Sequence, residues 1–378
     1  MKKAVMGCLV AILAVSFLFL ASSVAAYAVA TPTLEWVQTY PVANTYARGI
    51  TTDSSGNAYV AGSEVGDSTA TVWIRKYDTL GNTIWTQWYV PDDWTSPCGH
   101  EIALDTNGNV YVVGHGDHGG WTSKFSPDGN LLWERIQGQS GMFSYGFAIA
   151  VDASGNAYSS VGPDTLVKYD TDGNLLWTLN DPFIGPSASG ITVDAMSNVV
   201  VAKSNGKIGK FDPDGNLLWE TQTGSTSGFI VGVSQSIATD AACNIYAFGY
   251  TGLRELLLVK YDPDGNTLWT RTPAGGGGIT VDSDGYIYVA GSSAVAKYDS
   301  NGNEIWTEVF DNDFPGPYHF QAADASVDSQ DNVYLSGRYG DNITVVKYNQ
   351  IIPEPGTLFM LVSGILGIAG FAMKRRSR

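Results

Sequence analysis

The sequence predicts an all-β fold, a seven-bladed β-propeller, on three observations. A unit of about 40–50 residues recurs seven times along the chain. Each unit holds several short β-rich runs bounded by Gly-Asn turns, the signature of antiparallel hairpins. The outermost strand missing from the last unit is present ahead of the first.

At the N-terminus, Met1-Lys2-Lys3 precede an apolar run from Ala4 to Leu20, and Val24-Ala25-Ala26 supplies small residues for cleavage. Residues 1–28 therefore read as a secretory signal peptide. Cys8 stands at the start of that run, which argues against a lipoprotein anchor. The propeller is expected over residues 33–349.

Within it, the repeated Asp falls at Asp53, Asp105, Asp152, Asp194, Asp240, Asp282 and Asp328, and the repeated Lys at Lys76, Lys124, Lys168, Lys210, Lys260, Lys297 and Lys347. In the third unit the runs Ala148–Asp152, Ala157–Gly162, Leu166–Asp170 and Leu175–Thr178 are the four strands of one blade. Trp85, Trp133, Trp177, Trp219, Trp269 and Trp306 mark the outer strands of units one to six. Unit seven stops at Lys347-Tyr348-Asn349, so Leu34-Glu35-Trp36 is expected to complete the last blade and shut the ring. Unit four departs from the pattern, Asp194-Ala195-Met196-Ser197-Asn198 lacking the turn Gly, and unit five has Cys243 in that place.

These repeats resemble the bacterial beta-propeller repeat known as SBBP and, more loosely, the NHL propellers. The Gly-Asn-Leu-Leu-Trp runs are similar to those of quinoprotein propellers, whose Trp residues dock neighbouring blades. An adjacent Cys pair and an acidic cluster of the kind that holds a quinone and its metal are lacking, so no cofactor is expected.

Residues 350–378 read as a sorting signal. Pro353-Glu354-Pro355 leads into an apolar stretch from Thr357 to Met373 and then Lys374-Arg375-Arg376-Ser377-Arg378. At about 1.5 Å per residue that stretch barely spans a hydrocarbon core of about 30 Å. The basic tail stays cytoplasmic, which leaves the propeller outside. The segment resembles the PEP-CTERM signal of Gram-negative bacteria; the alternative reading is an ordinary single-span anchor. That resemblance implies an exosortase-type sorting protease as partner and export in cells that build extracellular polysaccharide, with membrane anchoring through the C-terminal helix before processing.

The net charge is −16, and removal of Lys2, Lys3, Lys374, Arg375, Arg376 and Arg378 would move it toward −22. So acidic a body repels phosphate backbones and excludes nucleic acid as a partner. The repeated residues read as scaffold: Asp and Asn bond turn backbone, Trp packs between blades, and Lys lays its stem along a blade with its head in water. Asp170-Thr171-Asp172-Gly173-Asn174 resembles the start of a calcium loop, but the third acidic position and the distal Glu are absent, so a hairpin turn is expected.

Strand order puts the Gly-Asn turns on one face of the disc, and the second-to-third strand loops and blade-to-blade links on the other. Functional groups are sought on that second, variable face. Cys98 and Cys243 fall on opposite faces and are not expected to form a disulfide. Four Trp residues stand outside the repeat, Trp73, Trp88, Trp94 and Trp121, all in units one and two with His100, His115 and His118. Asp92, Asp93, Glu101 and Asp117 accompany them.

Three readings follow for this patch. The indoles form a small core under the long link from Gln87 to Gly99. Alternatively Trp73, Trp88, Trp94, Glu101, Asp117 and Trp121 bind polysaccharide or a surface protein, sugar rings stacking on flat aromatics. Or His100, His115 and His118 hold a metal such as zinc and activate water in a hydrolase or lyase. A nucleophile elbow and a phosphate-binding Gly loop are absent; Gly275-Gly276-Gly277-Gly278 is a tight blade link. The leading expectation is an exported binding or scaffold propeller.

Overall fold

The structure, a computed structural model, describes residues 32–40, 45–65, 70–91, 96–137, 146–161, 165–180, 188–203, 206–223, 236–250, 256–273, 276–291, 293–310, 313–314 and 319–350. Residues 1–28, expected as a signal peptide, and residues 351–378 of the expected sorting signal lie outside these residues, as does Trp94. Among the described residues no helix is long and apolar enough to cross a membrane.

Among the described residues, twenty-eight strands form seven four-stranded antiparallel sheets. A single strand, β1 (Thr33–Tyr40), precedes blade one, which comprises β2 (Thr45–Thr52), β3 (Ala58–Val65), β4 (Ala70–Tyr77) and β5 (Thr83–Tyr89). Blade two is β6 (Cys98–Leu104), β7 (Val110–Gly116), β8 (Gly119–Phe125) and β9 (Leu131–Gln137). Blades three to six run from β10 (Gly146–Val151) to β13 (Leu175–Asn180), β14 (Ala188–Val193) to β17 (Leu217–Gln222), β18 (Ile237–Thr239) to β21 (Thr267–Arg271) and β22 (Gly277–Val281) to β25 (Glu304–Val309). Blade seven is β26 (Phe320–Val327), β27 (Val333–Tyr339) and β28 (Asn342–Asn349), completed by β1 in the order β26-β27-β28-β1. Leu34 pairs with Tyr348 and Trp36 with Lys347, so the N-terminal strand closes the last blade as the Trp series predicts.

The first strand of each blade contacts its counterparts on both sides, which shuts the inner ring. Where these strands converge they carry small residues, Thr51, Ala103, Ala150, Thr192, Ala238 and Thr280, around a cavity of about 270 Å³. Side chains between neighbouring blades make up the core, as in the cluster of Tyr59, Ile74, Val112 and Trp121 between blades one and two.

The repeated Asp works as expected. Asp105 Oδ1 accepts the amides of Asn107 and Asn109, while Oδ2 accepts Asn109 Nδ2 (2.8 Å) and the Tyr111 hydroxyl (3.3 Å). The turn requires a left-handed residue before its Asn, a place held by Gly56, Gly108 and Gly155. Ser197 (φ 63°), Cys243 (φ 62°) and Asp331 (φ 63°) adopt the same conformation without Gly. The hydrogen bonds of the Asp hold them there against a local cost of about 1–2 kcal/mol.

The repeated Lys differs from expectation. In six of the seven units its head does not reach water, Lys124, Lys168, Lys210, Lys260, Lys297 and Lys347 being buried, while Lys76 is half-buried. Lys124 Nζ lies 3.5 Å from Asp105 Oδ2, 4.8 Å above the Tyr111 ring, and donates to Thr171 O in blade three (3.0 Å). Trp133 Nε1 donates to that same carbonyl (3.1 Å). The carbonyls of Pro213, Pro263 and Ser300 each receive a Lys and a Trp from the preceding blade in the same way. Backbone oxygen from the next blade replaces water around the ammonium, which is why burial is tolerated.

Candidate functional site

The two inner strands of blade two bring three candidate side chains together. Cys98 lies directly opposite His115, and the Gly99–Gly114 pair sits beside them. Both glycines are required by close approach. A Cβ on Gly114 would lie 2.4 Å from the Trp121 ring, and one on Gly99 would lie 3.0 Å from Val72 of blade one. The pairing shifts between Gly99 and Glu101, leaving His100 as the extra residue of a β-bulge.

On this framework the imidazoles of His100 and His115 stack with centroids 4.7 Å apart and planes at 27°, and His100 Nε2 lies 2.7 Å from His115 Nδ1. One of these nitrogens donates a proton to the other. Cys98 joins them, the three ligating atoms lying within 4.8 Å of one another. Ser63 Oγ donates to Cys98 Sγ (3.3 Å) and accepts the Gly99 amide (2.8 Å), anchoring the thiol. His100 is buried, while Cys98 and His115 are half-exposed toward the link face.

Burial holds the His100 imidazole well below the usual histidine range, helped by the charge of Arg48 and by His115. Burial and then Arg48 push His115 down to about 4. Both rings are therefore neutral near pH 7, the form that ligates metal. Arg48 is the bulge residue of blade one, at the position His100 holds in blade two.

The other candidate residues scatter. His118 lies beside Asp117 (4.0 Å), and Asp117 accepts the Ser96 amide (3.4 Å); both rise from the loop between β7 and β8. Among the described residues His118 does not join the Cys98–His100–His115 group. Trp73 and Trp121 occupy equivalent positions, as their spacing from the repeated Lys predicts, but each faces the preceding blade. Trp73 packs on Ile343 and Val345 of blade seven, and Trp121 on Val72 and Tyr89 of blade one. They are buried in different interfaces and share no groove. Trp88, paired with Trp73 across β4 and β5, is 44% exposed. Glu101 is wholly buried, its Oε2 accepting the Ile149 amide of blade three (3.3 Å).

Sequence reasoning missed Cys98 as a neighbour of the two imidazoles. The signal that could have found it is the two-residue strand period, which puts positions 98 and 100 on one side of β6. It also missed a cavity of about 580 Å³ at the turn face between blades one and two, lined by Asp53, Tyr59, Lys76, Asp105 and Asn107. Cys98 and Cys243 are free thiols, as expected. The described residues lining the axial cavity include no charged side chain.

Comparison with known proteins places this geometry. The family described as outer membrane protein assembly factor BamB matches residues 70–253 and 254–350, and the family described as beta-propeller repeat matches residues 40–63. Searching the curated proteins finds no match. With seven closed blades and a match over most of its length, the chain belongs to the propeller family described as outer membrane protein assembly factor BamB.

Proposed function

We propose that this chain is an exported propeller serving as a binding and scaffold protein at the cell surface or in the extracellular matrix, and that it engages polysaccharide or a protein partner through the variable face of blades one and two. The observation that carries the reading is the exposed indole of Trp88, a large aromatic outside the repeat on a blade whose other extra indole is buried. Asp117 and His118 on the next blade add partly exposed polar groups. The description of the family as an assembly factor supports docking rather than turnover.

Export is supported by the two ends of the sequence, with an exosortase-type protease as processing partner and membrane contact through residues 357–373 before processing. A net charge of −16 supports a partner other than nucleic acid. The test is affinity electrophoresis of the purified protein through gels containing the exopolysaccharide of the producing cells. The expected result is retardation that Trp88→Ala weakens about tenfold or more, as for an aromatic anchor. Free migration of the wild type, or equal retardation of the folded variant, refutes the polysaccharide reading.

A further inference from the structure

We propose that Cys98, His100 and His115 form a binding site for one transition-metal ion of the zinc class, on the variable face of blade two. The site is built from the three convergent side chains, the bulge that positions His100, and the Ser63 hydroxyl behind the sulfur. A thiolate with two imidazoles is a donor set for zinc, with a fourth position left for water or a ligand.

The dimensions agree. Zinc takes nitrogen at about 2.0–2.1 Å and sulfur at about 2.3 Å, so tetrahedral ligand atoms stand about 3.3–3.6 Å apart. The three atoms already lie within 4.8 Å of one another. The two nitrogens, 2.7 Å apart while one ring donates to the other, need only open slightly once the donor ring carries its proton on its other nitrogen, the tautomer that presents a lone pair. The half-exposed Cys98 and His115 give the ion a path from solvent, and the buried His100 forms the floor.

Charge selects the ligand state. A cysteine ligates zinc as the thiolate, its proton going to solvent, and the sulfur's negative charge offsets part of the cation's. Ser63 then donates to a full negative charge, the kind of outer-shell bond that orients a ligand. Among the described residues the turn motifs with paired Asp form no comparable group; Asp212 accepts the amides of Asp214 and Asn216 and the Asn216 side-chain amide within its own turn.

This centre rests on geometry separate from Trp88, so loss of polysaccharide binding leaves it standing, and its own failure leaves that reading intact. The test uses the purified full-length chain titrated with Co²⁺ as a spectroscopic stand-in for Zn²⁺. About one equivalent should bind with a thiolate-to-cobalt charge-transfer band, and Zn²⁺ should displace it. Cys98→Ser should abolish the band, and His115→Ala should weaken binding about a hundredfold or more, since even outer-shell changes cost 10–100-fold. His118→Ala should change neither.

A wild type without the band, a band surviving in Cys98→Ser, or binding lost in folded His118→Ala overturns the site. One measurement needs no variant: Zn²⁺ should slow alkylation of Cys98, followed by mass spectrometry. An unchanged rate leaves only a hydrogen-bonded His pair beside a free thiol and overturns the proposal.

Discussion

Asp324 and Glu101 hold the same position in their blades, four residues before the repeated Asp, where blades one, four and six have Gly49, Gly190 and Gly278. Each acid reaches across to the next blade: Asp324 Oδ2 accepts the Ile50 amide (2.9 Å), as Glu101 accepts that of Ile149. Gly278 gives Asp324 its room, since a Cβ there would lie 2.5 Å from Oδ1. Full burial pushes the Asp324 carboxyl up to about 8, outweighing the bonds from Ile50 and Ala325 that lower it. In the unfolded chain it titrates near 3.9. The folded state therefore keeps a proton that the unfolded state has lost between those values. That contribution is fully present below about pH 4 and is lost as pH rises through about 8, at up to about 1.4 kcal/mol per pH unit. Asp324→Asn should flatten the profile over this window, measured as urea midpoints from pH 4.5 to 9; parallel profiles for variant and wild type refute it. No such role was legible in the sequence, where a carboxylate in so acidic a chain carries little information. The same holds for Trp73 and Trp121: their rarity was visible, but which side of a strand they occupy depends on the register against the preceding blade.

A blade is legible because its signals are local: a turn every few residues, a two-residue alternation, a Trp at a fixed offset. What joins blades is not local, and there the Lys heads were misplaced, since Lys124 and Thr171 are 47 residues apart in sequence. The joint is compact. Trp133 and Lys124 share the Thr171 carbonyl, and Gly173 (φ 78°) lets the Trp133 ring come within 2.7 Å of where a Cβ would stand. Lys124→Met keeps most of the stem but removes the charge beside the buried Asp105 and the donor to Thr171. It should destabilise by about 3 kcal/mol, as when one partner of a buried pair is removed. Adding Asp105→Asn should recover part of that loss, since the asparagine carries no charge to be compensated. Urea unfolding of the two single variants and the double variant measures the coupling. A double variant as unstable as the sum of the singles shows that the ion pair contributes nothing to the joint.

Around the whole ring, six of the seven joints use a turn between the last two strands of a blade as their acceptor, and the two that flank blade seven bear on the closure. From blade seven to blade one the pattern persists: Lys347 and Trp36, from opposite ends of the propeller sequence, both donate to Thr79 O (3.1 Å each). Trp36 also packs on Tyr77 and Tyr334, so β1 belongs to the interface as well as to its sheet. From blade six to blade seven that turn is missing, because β28 and β1 are not consecutive, and Lys297 meets Gln350 Oε1 instead (3.3 Å). The closure thus differs from the other joints in connectivity while keeping their strand pairing. Tyr348 opposite Leu34 has the register of Phe211 opposite Leu217, whose strands are joined by Asp212-Pro213-Asp214-Gly215-Asn216. A permuted chain that begins at Thr45, runs to Asn349, and continues through Pro-Asp-Gly-Asn into Leu34–Tyr40 should therefore fold, its melting temperature within about 5 °C of the unpermuted propeller. The same chain ending at Asn349 leaves β28 as an open edge and strips the Trp36 ring from Tyr77 and Tyr334. It should aggregate or unfold without cooperativity. If the shortened chain melts as cooperatively as the permuted one, β1 is an ornament on a ring held shut by its inner strands alone.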